Sequence, residues 1–165
     1  ITSHLLEQGR TLPGFIGDIG YAQSNRERYE GFCQALTYAG KKVDSSLCLT
    51  TPLGIDTYRE EIDTFLSSLS RMPDAFVCAS DYVACILMQL LEKRGLRVPE
   101  DVAVSGFDNN TEDLLAEHLT TVQVFNEELG ARLALQILYR IKYPNTPHEV
   151  TYLGTNVLYR DSTGD

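Results

Sequence analysis

The sequence predicts an α/β protein, a three-layer sandwich in which a mainly parallel sheet carries helices on both faces. Three observations point to it. Short apolar runs at 14–18, 75–79 and 102–105 alternate with amphipathic helical stretches, the order expected of βαβ units. The runs are apolar at successive positions, so each strand is buried on both faces, as in the middle of a parallel sheet. The stretch RVPEDVAVSGFD, residues 97–108, closes on a carboxylate. Asp108 thus falls at the carboxyl end of a central strand, the edge where open α/β sheets bind ligands.

Composition narrows the function classes. At 165 residues the chain is one ordinary domain, and 43% hydrophobic with 22% charged residues is a globular balance. A formal charge of −9 argues against this segment gripping a nucleic-acid backbone, which requires clustered Lys and Arg. There is no apolar run of membrane-spanning length and no signal-peptide pattern. Cys33, Cys48, Cys78 and Cys85 lack C-x-x-C spacing and read as reduced, small hydrophobes of a cytosolic protein. His4, His118 and His148 are scattered, so no metal site is expected. The chain opens without methionine inside an amphipathic pattern (Ile1, Leu5, Leu6), as expected of a piece of something longer.

In chain order, ITSHLLEQGR reads as the last turns of a helix closed by Gly9. Gly14 to Asp18 reads as a strand, and Ser24-Asn25-Arg26-Glu27 has the spacing of a capping box that opens the next helix. Phe32, Ala35, Leu36 and Ala39 form that helix's inner stripe, which stops at Gly40. Arg28 lies on the same stripe in the first turn. A guanidinium is not buried unpaired, so Arg28 is expected at the mouth of the sheet, facing either a carboxylate in a structural salt bridge or an anionic or hydroxyl-rich ligand. Gly31 is expected to let the helix approach the sheet.

Leu47 to Thr50 reads as a short strand. Asp56 is then expected to cap a helix whose core stripe is Tyr58, Ile62, Phe65, Leu66 and Leu69. Ala75 to Ala79 is a strand ending at Ser80 and Asp81. The helix after it is apolar almost all round from Tyr82 to Leu91, more than one sheet face requires. This predicts a twofold subunit interface; the alternative is a helix sandwiched within its own domain. Beyond Asp108, NNTEDLLAEHL offers at most a short helix and LTTVQV is extended. Asn126 is expected to cap a helix with Leu129, Leu133, Ile137 and Ile141 at helical spacing, ended by Pro144 and Pro147. The tail, VTYLGTNVLYRDST, reads as a strand pair or a strand plus linker, with its last residues frayed.

Ser24, Arg28, Ser80, Asp81 and Asp108 converge on one sheet edge and supply hydroxyl, guanidinium and carboxylate groups. Such planar polar groups pair neighbouring hydroxyls of sugars, and they also suit purines or small acids. Catalysis is harder to assemble. Ser80 lacks the glycines of a nucleophile elbow, and there is no phosphate-binding or dinucleotide fingerprint. A metal-assisted enzyme using Asp18, Asp81 and Asp108 stays as an alternative, with no cofactor expected in the main reading.

The pieces GFIGDIGYAQSNRERYEGFCQAL, PDAFVCASDYVACILMQLLEKRGLRVPEDVAVSGFDNN, LTTVQVFNEELGARLALQIL and LYRDST closely resemble the effector-binding core of the LacI/GalR family of bacterial transcription repressors. The resemblance implies the type I periplasmic-binding-protein-like fold, with a small effector in the cleft between two subdomains. It also implies an N-terminal helix-turn-helix domain that this chain lacks. Residues 1–125 would form the C-terminal subdomain, 126–146 a helix of the otherwise missing N-terminal subdomain, and 147–165 the return segment. By position, Arg28 matches the family's effector-binding arginine, Asp108 its strand-end aspartate and Ser24 a loop serine. Ser80 stands where the family usually has asparagine, and the family's aromatic residue near Asp56 is not evident.

What the resemblance implies is therefore the effector-sensing, dimerising region of a cytoplasmic, non-enzymatic DNA-binding regulator. Its effector would be a sugar or sugar phosphate. The twofold contact would use the helix that begins at Asp81, through Tyr82, Cys85, Ile86 and Gln89, and operator DNA would be met only through the missing domain. A solute-binding protein of a sugar transport system shares the fold and remains an alternative.

Overall fold

The computed structural model describes residues 1–54, 56–109 and 114–164. The elements are α1 (Thr2–Glu7), β1 (Pro13–Ile16), α2 (Gln23–Tyr38), β2 (Cys48–Leu49), α3 (Tyr58–Ser68), β3 (Ala75–Cys78), α4 (Asp81–Lys93) and β4 (Ala103–Ser105), then β5 (Thr121–Gln123), α5 (Asn126–Lys142) and β6 (Asn156–Leu158). Strands β2, β1, β3 and β4 lie in that order and are all parallel. The segment entering β5 runs alongside the end of β4 through parallel bridges at Ser105–Thr120 and Asp108–Gln123. β6 then pairs antiparallel to β5.

Alternation along the strands divides the core. Ile16, Phe76, Cys78 and Val104 face α3 and α4, where Ile62, Leu66, Leu87 and Leu91 meet them. Phe15 and Ala79 face α2, meeting Phe32 and Leu36. Leu5 of α1 covers Ala75 and Ala103. Each strand thus feeds both layers, the three-layer α/β sandwich that successive apolar positions predicted.

Several local expectations change. α2 begins at Gln23 behind Ala22, with no side-chain cap, so Ser24 and Glu27 do not form the capping box. Asp56 does not cap α3; Thr57 takes the N-cap position, and its hydroxyl donates to Glu61 Oε1 at 2.8 Å. Phe125, not Asn126, precedes α5. A Cβ on Gly31 would meet nothing within 4 Å, so this glycine does not bring α2 close to the sheet. Close approach occurs instead at Gly17 and Gly106. The closing residues are not frayed. Ser162 and Thr163 are buried, with Ser162 Oγ donating to the Val104 carbonyl at 2.6 Å and accepting the Thr120 N–H at 2.8 Å.

α4's apolar girth is largely absorbed inside the chain. Cys85 and Ile86 are buried in the cluster with α3, and Leu115 of the short turn at Leu114–His118 packs there as well. Within this chain Cys85 and Ile86 are thus covered by α3 and Leu115. Gln89 is half-buried and accepts a hydrogen bond from Arg59, while Tyr82 is 60% exposed. α5 is the opposite case, since none of its residues, all of them described, is buried. No helix among the described residues is long and apolar enough to cross a membrane.

Candidate functional site

The carboxyl ends of β1, β3 and β4 form one rim, and two side chains meet across it. Arg28 leans inward from the first turns of α2, as its place on the inner stripe requires. One guanidinium nitrogen donates to the Ala79 carbonyl at the end of β3, and Nη2 lies 3.3 Å from Asp108 Oδ1. The guanidinium carbon sits 3.6 Å from the centre of the Phe107 ring, a cation–π geometry that shields its lower face. Asp108 is presented past β4 in a left-handed conformation, φ 109°, rarely adopted by a side-chain-bearing residue. Its N–H is held by the Val122 carbonyl at 3.1 Å.

The two groups differ in exposure: the arginine side chain is 20% accessible and the carboxylate 43%. Burial lowers the affinity of Arg28 for its proton, while the charge and hydrogen bond of Asp108 work in the opposite sense. Burial also raises the Asp108 carboxyl above the ordinary carboxylate range; Arg28 opposes this and the nearby charge of Asp81 adds to it. The pair is held together but open on its carboxylate side, with unused donor and acceptor capacity for a polar guest.

The other residues expected at this edge divide. Ser80 is the N-cap of α4, its hydroxyl accepting from the Val83 N–H at 3.3 Å. Asp81 is buried, and its Oδ1 accepts from the Thr121 hydroxyl at 2.6 Å. Both residues fasten the rim: Ser80 through its cap bond and Asp81 through the Thr121 hydroxyl. Ser24 is exposed on the first turn of α2, one helical turn before Arg28. Asp18 joins two loops, accepting the N–H groups of Gly20 and Tyr21 and, at 3.4 Å, of Leu53. Among the described residues no group of three or more His, Cys, Asp or Glu side chains is placed to hold a metal ion.

Two features escaped the sequence reading. Phe107 immediately precedes Asp108, and that adjacency was the available signal for the ring beneath Arg28. Tyr58 opens α3 and meets Tyr82 edge-on, ring centres 5.6 Å apart. Tyr58 stands two positions after Asp56, and Tyr82 keeps 60% of its surface exposed beside it.

Residues 2–163 match the family model for the periplasmic binding protein-like domain. The HTH-type transcriptional regulator DegA of Bacillus subtilis is 35% identical over 130 residues, 78% of this chain and 38% of that protein. The HTH-type transcriptional repressor PurR of Photobacterium profundum is 28% identical over 166 residues, 99% of this chain and 49% of that protein. A solved complex of the transcriptional regulator CelR with cellobiose superposes with a TM-score of 0.83 at 29% identity, covering 98% of this chain and 49% of that one. The chain thus spans half or less of the length of these relatives. The family match along almost every residue places the chain in the periplasmic binding protein-like domain family, in the form carried by LacI-type proteins.

Proposed function

We propose that this chain is the effector-sensing part of a LacI/GalR-type DNA-binding regulator, with Arg28 and Asp108 gripping a small polyhydroxylated effector. The carrying observation is the pair itself: a guanidinium and a 43% exposed carboxylate, 3.3 Å apart at the carboxyl edge of a parallel sheet. A carboxylate accepts from two adjacent hydroxyls and a guanidinium donates through a fork, a vocabulary suited to a sugar or sugar phosphate. The Tyr58–Tyr82 pair supports a sugar, because an aromatic face packs against the apolar face of a pyranose. The cellobiose complex of CelR is consistent with that ligand class.

In this reading residues 1–125 and 147–165 form one subdomain, and α5, within 126–146, docks on the other. The wholly unburied helix supports that division. Operator binding belongs to a helix-turn-helix outside this chain, and the regulator works in the cytoplasm as a homodimer whose contact uses the helix α4, around Tyr82, Cys85, Ile86 and Gln89. Effector and operator then communicate by linkage, through the effector's unequal affinity for two cleft geometries.

The test is calorimetry of the full-length regulator against a panel of sugars and sugar phosphates, cellobiose included, repeated with Arg28→Ala and Asp108→Ala. Each substitution should abolish the binding heat while leaving the circular dichroism unchanged. A heat that survives both substitutions refutes the site.

A further inference from the structure

We propose that Arg160 is a positioning residue for Asp108, holding it in place through the side chain of Asn109. The functional meaning of this rests on the effector-site reading above; the geometry does not.

Asp108 and Asn109 have φ values of 109° and 53°, two consecutive side-chain-bearing residues in the region that favours glycine. Such a turn persists where its surroundings over-determine it. The backbone supplies part of the restraint: the Asp108 N–H donates to the Val122 carbonyl at 3.1 Å and the Asn109 N–H to the Thr121 hydroxyl at 3.2 Å. The rest comes from the Asn109 amide, which is engaged at both ends. Its Nδ2 donates to Gln123 Oε1 at 2.6 Å, and its Oδ1 accepts from Arg160 Nη2 at 2.8 Å.

Arg160 is itself well anchored. Its Nη1 donates to the Leu119 carbonyl at 3.0 Å, and its backbone N–H donates to the Thr120 hydroxyl at 2.8 Å. A planar fork can hold Leu119 and Asn109 at once in fixed directions, which a single ammonium cannot. Arg160 stands two residues beyond β6, the strand by which the chain returns to the sheet after α5. The return strand and the carboxylate at the rim are therefore tied, among the described residues, by a side-chain link from Arg160 to Asn109, and the next residue back is Asp108. A shift of β6 against β4 acts on Asp108 directly.

The experiment uses the ligand-free full-length regulator and residue-resolved amide hydrogen exchange, with Arg160→Ala, Asn109→Ala, Arg160→Lys and the Arg160→Ala/Asn109→Ala double variant. Each single alanine variant should speed exchange at the Asp108 and Asn109 amides by about tenfold, with the double variant no faster than either alone. The Arg160→Lys variant should fall between wild type and alanine. The amides of Phe15 and Val77 in the central strands should not change. If Arg160→Ala does not fold, Asn109→Ala decides alone, since it leaves every backbone bond of Arg160 in place. Unchanged exchange at residues 108 and 109 in Asn109→Ala overturns the proposal. So does uniform acceleration that includes Phe15 and Val77, which would make Arg160 a general support of the fold.

A second arm separates this proposal from the site reading. With cellobiose as first probe, then the other sugars of the panel, both single variants should weaken any measured binding by the same factor. Binding that survives Asp108→Ala, together with the expected exchange pattern, would end the site reading and leave the positioning role standing.

Discussion

Arg28 and Asp108 lie 80 positions apart in the chain and 3.3 Å apart in space, brought together because α2 and β4 deliver them to the same edge from different layers. Neither is satisfied by the other alone. Arg28 also donates to the Ala79 carbonyl and rests on the Phe107 ring, while the carboxylate keeps a face to solvent.

Arg28→Lys should therefore be nearly as harmful to effector binding as alanine. A lysine keeps the charge but cannot donate to Ala79 and Asp108 together while lying flat on a ring. Loss of one charge-assisted hydrogen bond costs about 1.5–3 kcal/mol, or about 10- to 150-fold in affinity. Calorimetry on the full-length regulator checks it, and wild-type affinity in the lysine variant would count against the fork.

Asp108→Asn should change stability in a pH-dependent way. Burial raises the folded-state pKa of this carboxyl, so its contribution is fully present below the unfolded value of about 3.9 and is lost as pH rises through the folded value. The asparagine variant does not ionise there. Its melting temperature should thus gain on wild type between acidic and neutral pH. The gain should not exceed about 2–4 °C, since a half-exposed carboxylate is screened by solvent. A difference independent of pH would contradict the burial argument.

Two glycines should respond in opposite directions. A Cβ on Gly106 would lie 2.2 Å from Asp81 Oδ1 and 2.9 Å from Leu119 Cδ2, so Gly106→Ala should cost about 1–3 kcal/mol in urea unfolding. Gly31 lies within α2 with open space beside it, so Gly31→Ala should add about 0.5–1 kcal/mol through helix propensity.

Ser162→Ala should be costly for a residue so near the end of the described chain. It removes a donor from the Val104 carbonyl and an acceptor from the Thr120 N–H, both buried, for about 1–3 kcal/mol in the same assay. A neutral result would mean that water replaces the hydroxyl.

Leu133→Gln and Ile137→Gln test the division of the chain. In this chain both positions are exposed on α5, so each change should stay within about 0.5 kcal/mol. In the full-length regulator, if α5 docks on the other subdomain, each should cost about 2 kcal/mol or more. Equal, small effects in both proteins would show that the helix is free in both.

The sheet and its helices were legible because burial on both faces leaves a plain apolar run, and the inner stripes of α2 and α3 follow helical spacing. Arg28 and Asp108 could be read for the same reason: one is a charge misplaced on an apolar stripe, the other a charge that ends an apolar run. Capping was read poorly. Which of Ser24, Asp56 or Asn126 caps a helix depends on where the backbone turns, and each loop shifted that point by one or more residues. Ser80 and Asp81 were assigned by type, yet a hydroxyl or carboxylate serves equally to fasten a rim or to line it. Asp81's partner there is Thr121, which lies 40 positions away. The fate of α4 was a matter of neighbours too, since the apolar excess at Cys85 and Ile86 is covered by α3 and the turn at Leu115.

The buried seat of Ser162 also has a consequence for synthesis on the ribosome. Strand β4 and the segment entering β5 are made well before residues 160–163, and until those emerge the Val104 carbonyl and the Thr120 N–H lack their native partner. The sheet can collapse early, but this part of it closes only once residues 160–163 have been made. A nascent chain stalled just short of them should present that seam to chaperones, as an opening that the finished protein does not have.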